Sequence, residues 1–165
     1  MTKILNIVEY NKASLGNRFL NNLLDLFTLI ILNIIITSIS DILYAFTDIE
    51  FFYLYGNGGI GWQILFGNIN CFIYYFSMEH FMNGRTVGKY ITGTKVISTD
   101  GTQPTSQQII YRNLTRLIPF DGLSFFGVNG WHDSWSDTRV INIKNYITEI
   151  QAKSEIDGLG KKEIA

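Results

Sequence analysis

Two long apolar stretches dominate the first half of the chain, and polar positions crowd the second. Phe19 to Ser40 carries one charge, Asp25, and its second half reads LFTLIILNIIITSIS. A second uncharged stretch lies between Glu50 and Glu79, with its apolar helix expected from Ile60 to about Met82. A bilayer core about 30 Å thick needs about 20 helical residues at ~1.5 Å each, so either stretch can span it. Both are apolar almost all round, whereas the helix of a soluble domain keeps a polar face. The Gly-rich run GNGGIG before the second stretch predicts a turn into it. A cleavable signal peptide is not expected, because Arg18, Asn21, Asn22 and Asp25 sit at the head of the first stretch and no A-x-A-like site follows.

After Met82 the texture changes. Tyr90 to Ser98 is rich in Thr, Val and Ile and ends at the turn dipeptide Asp100-Gly101, which predicts a short strand or extended segment. Thr105 or Ser106 reads as the N-cap of a helix running to about Ile118 and stopping before Pro119. Arg112 and Arg116 share one face of it, while Ile110, Leu114, Leu117 and Ile118 form an apolar stripe. An interfacial helix over about 105–118, with its arginines reaching toward headgroups, is the expectation. A third span over Ile109–Trp131 would place Arg112, Arg116 and Asp121 near the midplane, at a cost of about 2.5–3.5 kcal/mol each. Arg139 to Ile143 predicts another strand, and the charged, Gly-containing tail over 143–165 is expected to be disordered. The fold class expected is therefore membrane all-α. It consists of a two-helix transmembrane hairpin with a cytoplasmic, partly interfacial segment of short β-like strands and one amphipathic helix. Residues 1–17 form an N-terminal cytoplasmic segment, 18–142 the membrane domain with spans at about 19–40 and 60–82, and 143–165 the tail.

Charge settles orientation. Residues 19–82 contain no Lys or Arg, whereas Lys3, Lys12 and Arg18 precede the first span and Arg85, Lys89 and Lys95 follow the second. Basic residues stay on the cytoplasmic side, so both termini are expected there, in the inner (plasma) membrane, with an acidic outer loop. Charged residues make up 16 % of the chain and hydrophobic ones 47 %, and the net charge of −1 gives no basic surface for nucleic acid. One cysteine, Cys71, and two histidines cannot build a Cys/His zinc site, and no metal or other cofactor is expected.

The polar residues inside the spans are the candidate site. Arg18, Asn22 and Asp25 fall on one side of a helix, with Asn21 and Asn33 close by. An acid facing lipid is costly, so this stripe must face protein or water. The second span offers Asn68, Cys71, Tyr75 and Glu79 at helical spacing. In an antiparallel hairpin Glu79 lies at the depth of Arg18, which predicts an Arg18–Glu79 ion pair, and the Tyr75 hydroxyl should reach Asp25. Asp25 is either a structural clamp or a proton- or cation-binding carboxylate.

His132-Asp133 does not make a convincing catalytic pair, since sequence neighbours seldom point at each other and only His80 is left to assist. A structural role in the turn between Trp131 and Trp135 is expected instead. Gly84-Arg-Thr-Val-Gly88-Lys89 lacks the spacing and the Ser/Thr of a phosphate loop. Gly84 and Gly88 are expected to let the chain turn at the membrane surface, with Arg85 and Lys89 toward anionic lipid. No catalytic residue is assigned.

Arg18, Asp25, the block GRTVGKYITGTKVISTDG (84–101), RNLTRLIPF (112–120) and WHDSWSDTRVI (131–141) together resemble the RDD family of bacterial membrane proteins. The resemblance covers about residues 14–142. It makes Arg18, Asp25 and Asp133 the arginine and two aspartates of the family's name, and Gly84, Gly88, Lys89, Asp100, Gly101, Arg112, Arg116, His132 and Asp133 its other motif positions. Asn21 and Asn22 depart from the small or apolar residues usual there. What the resemblance implies is mostly topology. The family's molecular function is largely undefined, some members are associated with sodium/proton antiport, and no cofactor or catalytic site comes with it.

The first expectation is a membrane adaptor or assembly component, not an enzyme, whose partners are the bilayer and either further copies of itself or other membrane proteins. The alternative is ion transport of the sodium/proton exchange type through an intramembrane carboxylate. In that case Arg18, Asn22, Asp25, Tyr75 and Glu79 would relay charge, with protons or sodium as ligands.

Overall fold

The computed structural model describes residues 2–118 and 130–162. In chain order its elements are α1 (Thr2–Tyr10), α2 (Leu15–Thr47), α3 (Glu50–Asn57), α4 (Ile60–Phe81), α5 (Val87–Thr92), β1 (Thr94–Ser98), α6 (Ser106–Arg116), α7 (Trp131–Trp135), β2 (Thr138–Asn142) and α8 (Ile143–Lys162). The chain is mainly helical, with one small antiparallel sheet.

α2 begins where Ser14 Oγ accepts a hydrogen bond from Asn17 N and ends at Asp48 in the left-handed conformation. Its 33 residues extend about 50 Å, well beyond the expected Phe19–Ser40. Among the described residues α2 alone is long and apolar enough to cross a bilayer by length and composition, and its most apolar stretch is almost wholly uncovered by the rest of the protein. α4 has the length, but Gln63, Asn68 and Asn70 lower its hydropathy. The two helices run antiparallel. Tyr74 meets Asp25, and further along Asn70 Nδ2 donates to Asn33 Oδ1 at 2.7 Å.

The expected outer loop is largely helical. After α2, α3 folds back along it, held where Ser40 Oγ donates to Phe52 O and Asn57 Nδ2 donates to Asp41 Oδ1. Tyr55 joins the same layer through Asn70 and its ring contact with Phe66. The chain breaks at Gly58-Gly59, as the Gly-rich run predicts.

Beyond α4, Gly84 takes a φ of +79°, and a Cβ there would meet Val96 O at 2.5 Å. The Tyr90–Ser98 extended segment is only half right. Thr86 caps a short helix, α5, before Gly93 releases the chain into β1. β1 pairs with β2 in antiparallel register, Val96 opposite Val140. The Asp100-Gly101 turn forms, with Gly101 at a φ of +84°. α6 carries a reciprocal cap between Thr105 and Gln108. The stop at Pro119 and the middle of the Ile109–Trp131 alternative span, including Asp121, lie outside the described residues.

The ends of the chain correct the sequence reading most plainly. Where a disordered tail is expected, α8 runs through to Lys162. Its Tyr146 closes a core with Ile7 and Val8 of α1, Ile97 of β1 and Ile141 of β2. Residues 11–13 lie along β2 through Ala13 N to Val140 O and Asn142 N to Asn11 O. A charged tail reads as disordered when no apolar partner is visible, and the partner here is almost the whole chain away.

Candidate functional site: a closed ring of buried charges

The polar residues of α2 and α4 come together with those of α5, α6 and α7 at one end of the molecule, where α2 starts and α4 stops. Asp25, only 1 % exposed, is the first node. Its Oδ1 accepts from Tyr74 Oη at 2.8 Å and from Gly88 N at 2.9 Å, and its Oδ2 from Thr86 Oγ1 at 2.6 Å. Gly88 is required for this approach, since a Cβ would stand 2.4 Å from Asn21 O. Asn21 adds a second tie, donating from Nδ2 to Thr94 Oγ1 and accepting from Thr92 Oγ1.

Glu79 is the second node. Lys89 Nζ lies 2.8 Å from its Oε1, Arg116 Nη2 3.5 Å from the same oxygen, and Arg112 Nε 3.3 Å from both oxygens. Lys89 Nζ is also 3.5 Å from Thr86 Oγ1, joining the first node to the second. Burial pushes the Lys89 ammonium below its usual range, an effect that Glu79 opposes.

Asp133 is the third. Arg112 Nη1 donates to its Oδ1 and, at 2.8 Å, to Thr138 Oγ1, while Arg18 Nη1 stands 3.3 Å from Oδ2. Burial alone would raise the Asp133 carboxyl, but Arg112, His132 and Arg18 outweigh it and hold it well below the usual carboxylate range. The sequence of contacts Asp25, Thr86, Lys89, Glu79, Arg112, Asp133, Arg18 therefore leaves α2 and returns to α2. It closes a ring.

Several expected pairings are replaced. Arg18 pairs with Asp133 and not with Glu79, because its side chain leans toward the helix start, where α7 lies. Tyr74, not Tyr75, reaches Asp25, and the Tyr75 ring instead lies under Arg116 at 4.2 Å. Arg112 and Arg116 face inward and not toward headgroups, and Arg112 is fully buried. Lys89 is likewise turned into the protein. Asn68 is exposed, outside the ring, and Cys71 only half-buried. Asn22 lines a small cavity beside Arg18, and His132 and Asp133 stand on α7, whose His132 carbonyl accepts from Ser136 Oγ. Asp100 and Gly101 serve the turn after β1, with Asp100 Oδ1 accepting from Thr102 N.

Thr86, Tyr74 and Thr138 join the ring without a functional pattern in the sequence that points to them. Thr86 carried one signal: a hydroxyl residue directly before a short helical stretch is a cap, and that cap sits where the first node forms. Among the described residues no three His, Cys, Asp or Glu side chains gather to hold a metal.

A long, uncovered apolar helix is thus joined to a buried ring of arginines and carboxylates at one end. Residues 12–141 match the family model described as the RDD family, so the chain belongs to this membrane family. No curated protein and no solved structure matched.

Proposed function

We propose that this chain is a membrane adaptor or assembly component, not an enzyme, whose hub locks two spanning helices to a rigid module on the cytoplasmic face. The observation carrying this reading is the state of Asp25, the carboxylate an ion carrier would have to use. It accepts three hydrogen bonds that hold α4, α5 and the turn between them. Binding a proton or sodium ion at Asp25 would disturb at least one of the bonds from Tyr74, Thr86 and Gly88 in each cycle and loosen the fold at its tightest point. The apolar faces of α2 and α4, including Ile30, Ile34, Ile64 and Ile73, are free to meet lipid, further copies or other membrane proteins. In this reading α4 is the second span. The chain passes the inner membrane twice with both termini cytoplasmic, as the basic residues flanking the spans support.

The competing reading, sodium/proton exchange through Asp25, is separated by flux. Purified protein in liposomes is expected to give no sodium-dependent proton flux above empty vesicles, while in-cell crosslinking from α2 or α4 yields one stoichiometric membrane partner or a defined oligomer. Flux abolished by Asp25→Asn in a variant that still melts cooperatively would overturn the adaptor reading.

A further inference from the structure

Where α4 ends and α5 begins, an open groove of about 240 Å³ is lined by Met78, Met82, Val87, Tyr90 and Ile91, with Arg85 on its wall. Met82, Tyr90 and Ile91 are exposed, and the Thr86 hydroxyl beside them is already spent on Asp25. α4 has 22 residues, which at ~1.5 Å each reach about 33 Å, close to the thickness of a hydrocarbon core. With α4 as the second span, Met78 and Met82 stand at its last turn, on the boundary between acyl chains and headgroups.

Charge at this place is unbalanced. Gly84 O accepts a hydrogen bond from Val96 N at 2.8 Å, which brings the neighbouring residues Arg85 and Lys95 together across the turn. Burial and the nearby Arg85 push the Lys95 ammonium below its usual range. Among the described residues neither side chain makes an ion pair or a hydrogen bond. The Arg85 guanidinium has the Tyr90 ring 5.8 Å away, a contact that engages its face and leaves the edge donors unused. Its Nε is enclosed, whereas Nη1 and Nη2 reach the surface. By contrast Lys89, Arg112 and Arg116 at the same end all have Glu79. Two unpaired cations at the mouth of an apolar groove fit one molecule with a negative head and a hydrocarbon tail. At this depth phosphate headgroups are the anions at hand, and flexible methionines accommodate a chain of no fixed shape.

We propose that this groove binds one anionic phospholipid, its phosphate held by Arg85 and Lys95 and one acyl chain laid along Met78, Met82, Val87 and Ile91. The lipid would fasten α5, and through it the hub, to the membrane surface. The proposal rests on α4 being the second span, a reading that side-specific cysteine labelling decides separately from lipid binding.

Native mass spectrometry of the purified protein in detergent, titrated with phosphatidylglycerol or with phosphatidylcholine of the same chains, tests this. One phosphatidylglycerol per chain is expected to bind at least about tenfold more tightly than phosphatidylcholine, and inorganic phosphate should not displace it. Replacing both cations, Arg85→Gln with Lys95→Gln, should remove that preference and leave the Tm near the parent's, since neither side chain has a partner to lose. Ile91→Asn should weaken both lipids alike, while Lys144→Gln, exposed on α8, changes neither. Equal affinity for the two lipids in the parent would overturn the proposal, as would a preference that survives in the folded double variant. Displacement by phosphate would mean a site for a free anion, and an equal loss in Lys144→Gln would mean diffuse surface charge; either overturns it too. Should the double variant fail to fold, the phosphate competition and the Ile91→Asn protein decide.

Discussion

Tyr74 and Tyr75 are adjacent, equally buried and chemically identical, yet the ring uses them for different purposes. The Tyr74 hydroxyl donates to Asp25, so Tyr74→Phe removes one donor from a buried carboxylate and should cost about 1.5–3 kcal/mol. Tyr75 contributes its ring face to Arg116, which phenylalanine keeps, so Tyr75→Phe should cost clearly less than Tyr74→Phe. Melting the two variants in one detergent checks the pair, and equal losses would contradict the assignment. Asp133 offers a pH-dependent test. Its folded carboxyl is depressed, so its contribution is complete above the unfolded value near pH 3.9 and is lost as pH falls from there toward the folded one. Asp133→Asn should cost about 3–5 kcal/mol at neutral pH, because Arg18 and Arg112 lose their shared partner. It should also flatten the fall in Tm that the parent shows as pH drops below about 4, where linkage places the loss for a depressed carboxylate. Choosing between neighbouring tyrosines, or between Glu79 and Asp133 as the partner of Arg18, was beyond the sequence. A helical wheel resolves about 100° per residue, and both choices turned on elements, α5 and α7, that pack from outside the two spans.

At the scale of elements, the approach of α5 to α2 is the joint on which the hub depends. Gly88→Ala should be far more damaging than an alanine in a short helix usually is, since the new methyl meets the Asn21 backbone and not a movable side chain. Overpacking of this kind costs about 1–3 kcal/mol, and here it also lifts the Gly88 N–H from Asp25. A lowered Tm with earlier proteolysis between α4 and β1 is the expected reading, while Gly59→Ala, in open space, should leave both unchanged. α6 shows why element recognition succeeded and orientation failed. Its limits, its Thr105 cap and its two-faced character were all written in local spacing. Which face turns inward was not, because a soluble or interfacial helix buries its apolar stripe. α6 instead buries Arg112 fully and leaves Leu114 48 % and Tyr111 62 % exposed. The basic face turns in because Glu79 and Asp133 lie there, and the apolar one is left uncovered. The apolar groove between α4 and α6, lined by Leu65, Phe72, Leu114 and Leu117, continues that surface.

The whole molecule divides into an apolar shaft and a polar head, and the two are coupled by buried ion pairs whose net contribution to stability is small for their number. What such a ring supplies is definition, since it forms only when five elements take one arrangement. The apolar runs made the shaft readable from composition, but the head was not, because its contacts join residues as distant as Asn21 and Thr94 or Arg18 and Asp133. The head also gathers both ends of the chain, with α1 and α8 meeting over the sheet and Arg139 bound to Glu9 at 2.6 Å. If the shaft crosses the bilayer twice, everything in the head must lie on one side and the α2–α3 turn on the other. Single cysteines at Tyr10, Ser154 and Glu50, each exposed, test this in a Cys71→Ser background. An impermeant maleimide should label the Tyr10→Cys and Ser154→Cys proteins in inside-out vesicles and the Glu50→Cys protein in right-side-out cells. Labelling of Glu50→Cys and Tyr10→Cys from the same side would mean that α4 does not traverse the membrane. The ring would then tie a single-span anchor to its head, because the contacts of Asp25 with Tyr74 and of Asn33 with Asn70 keep the two helices side by side in either case.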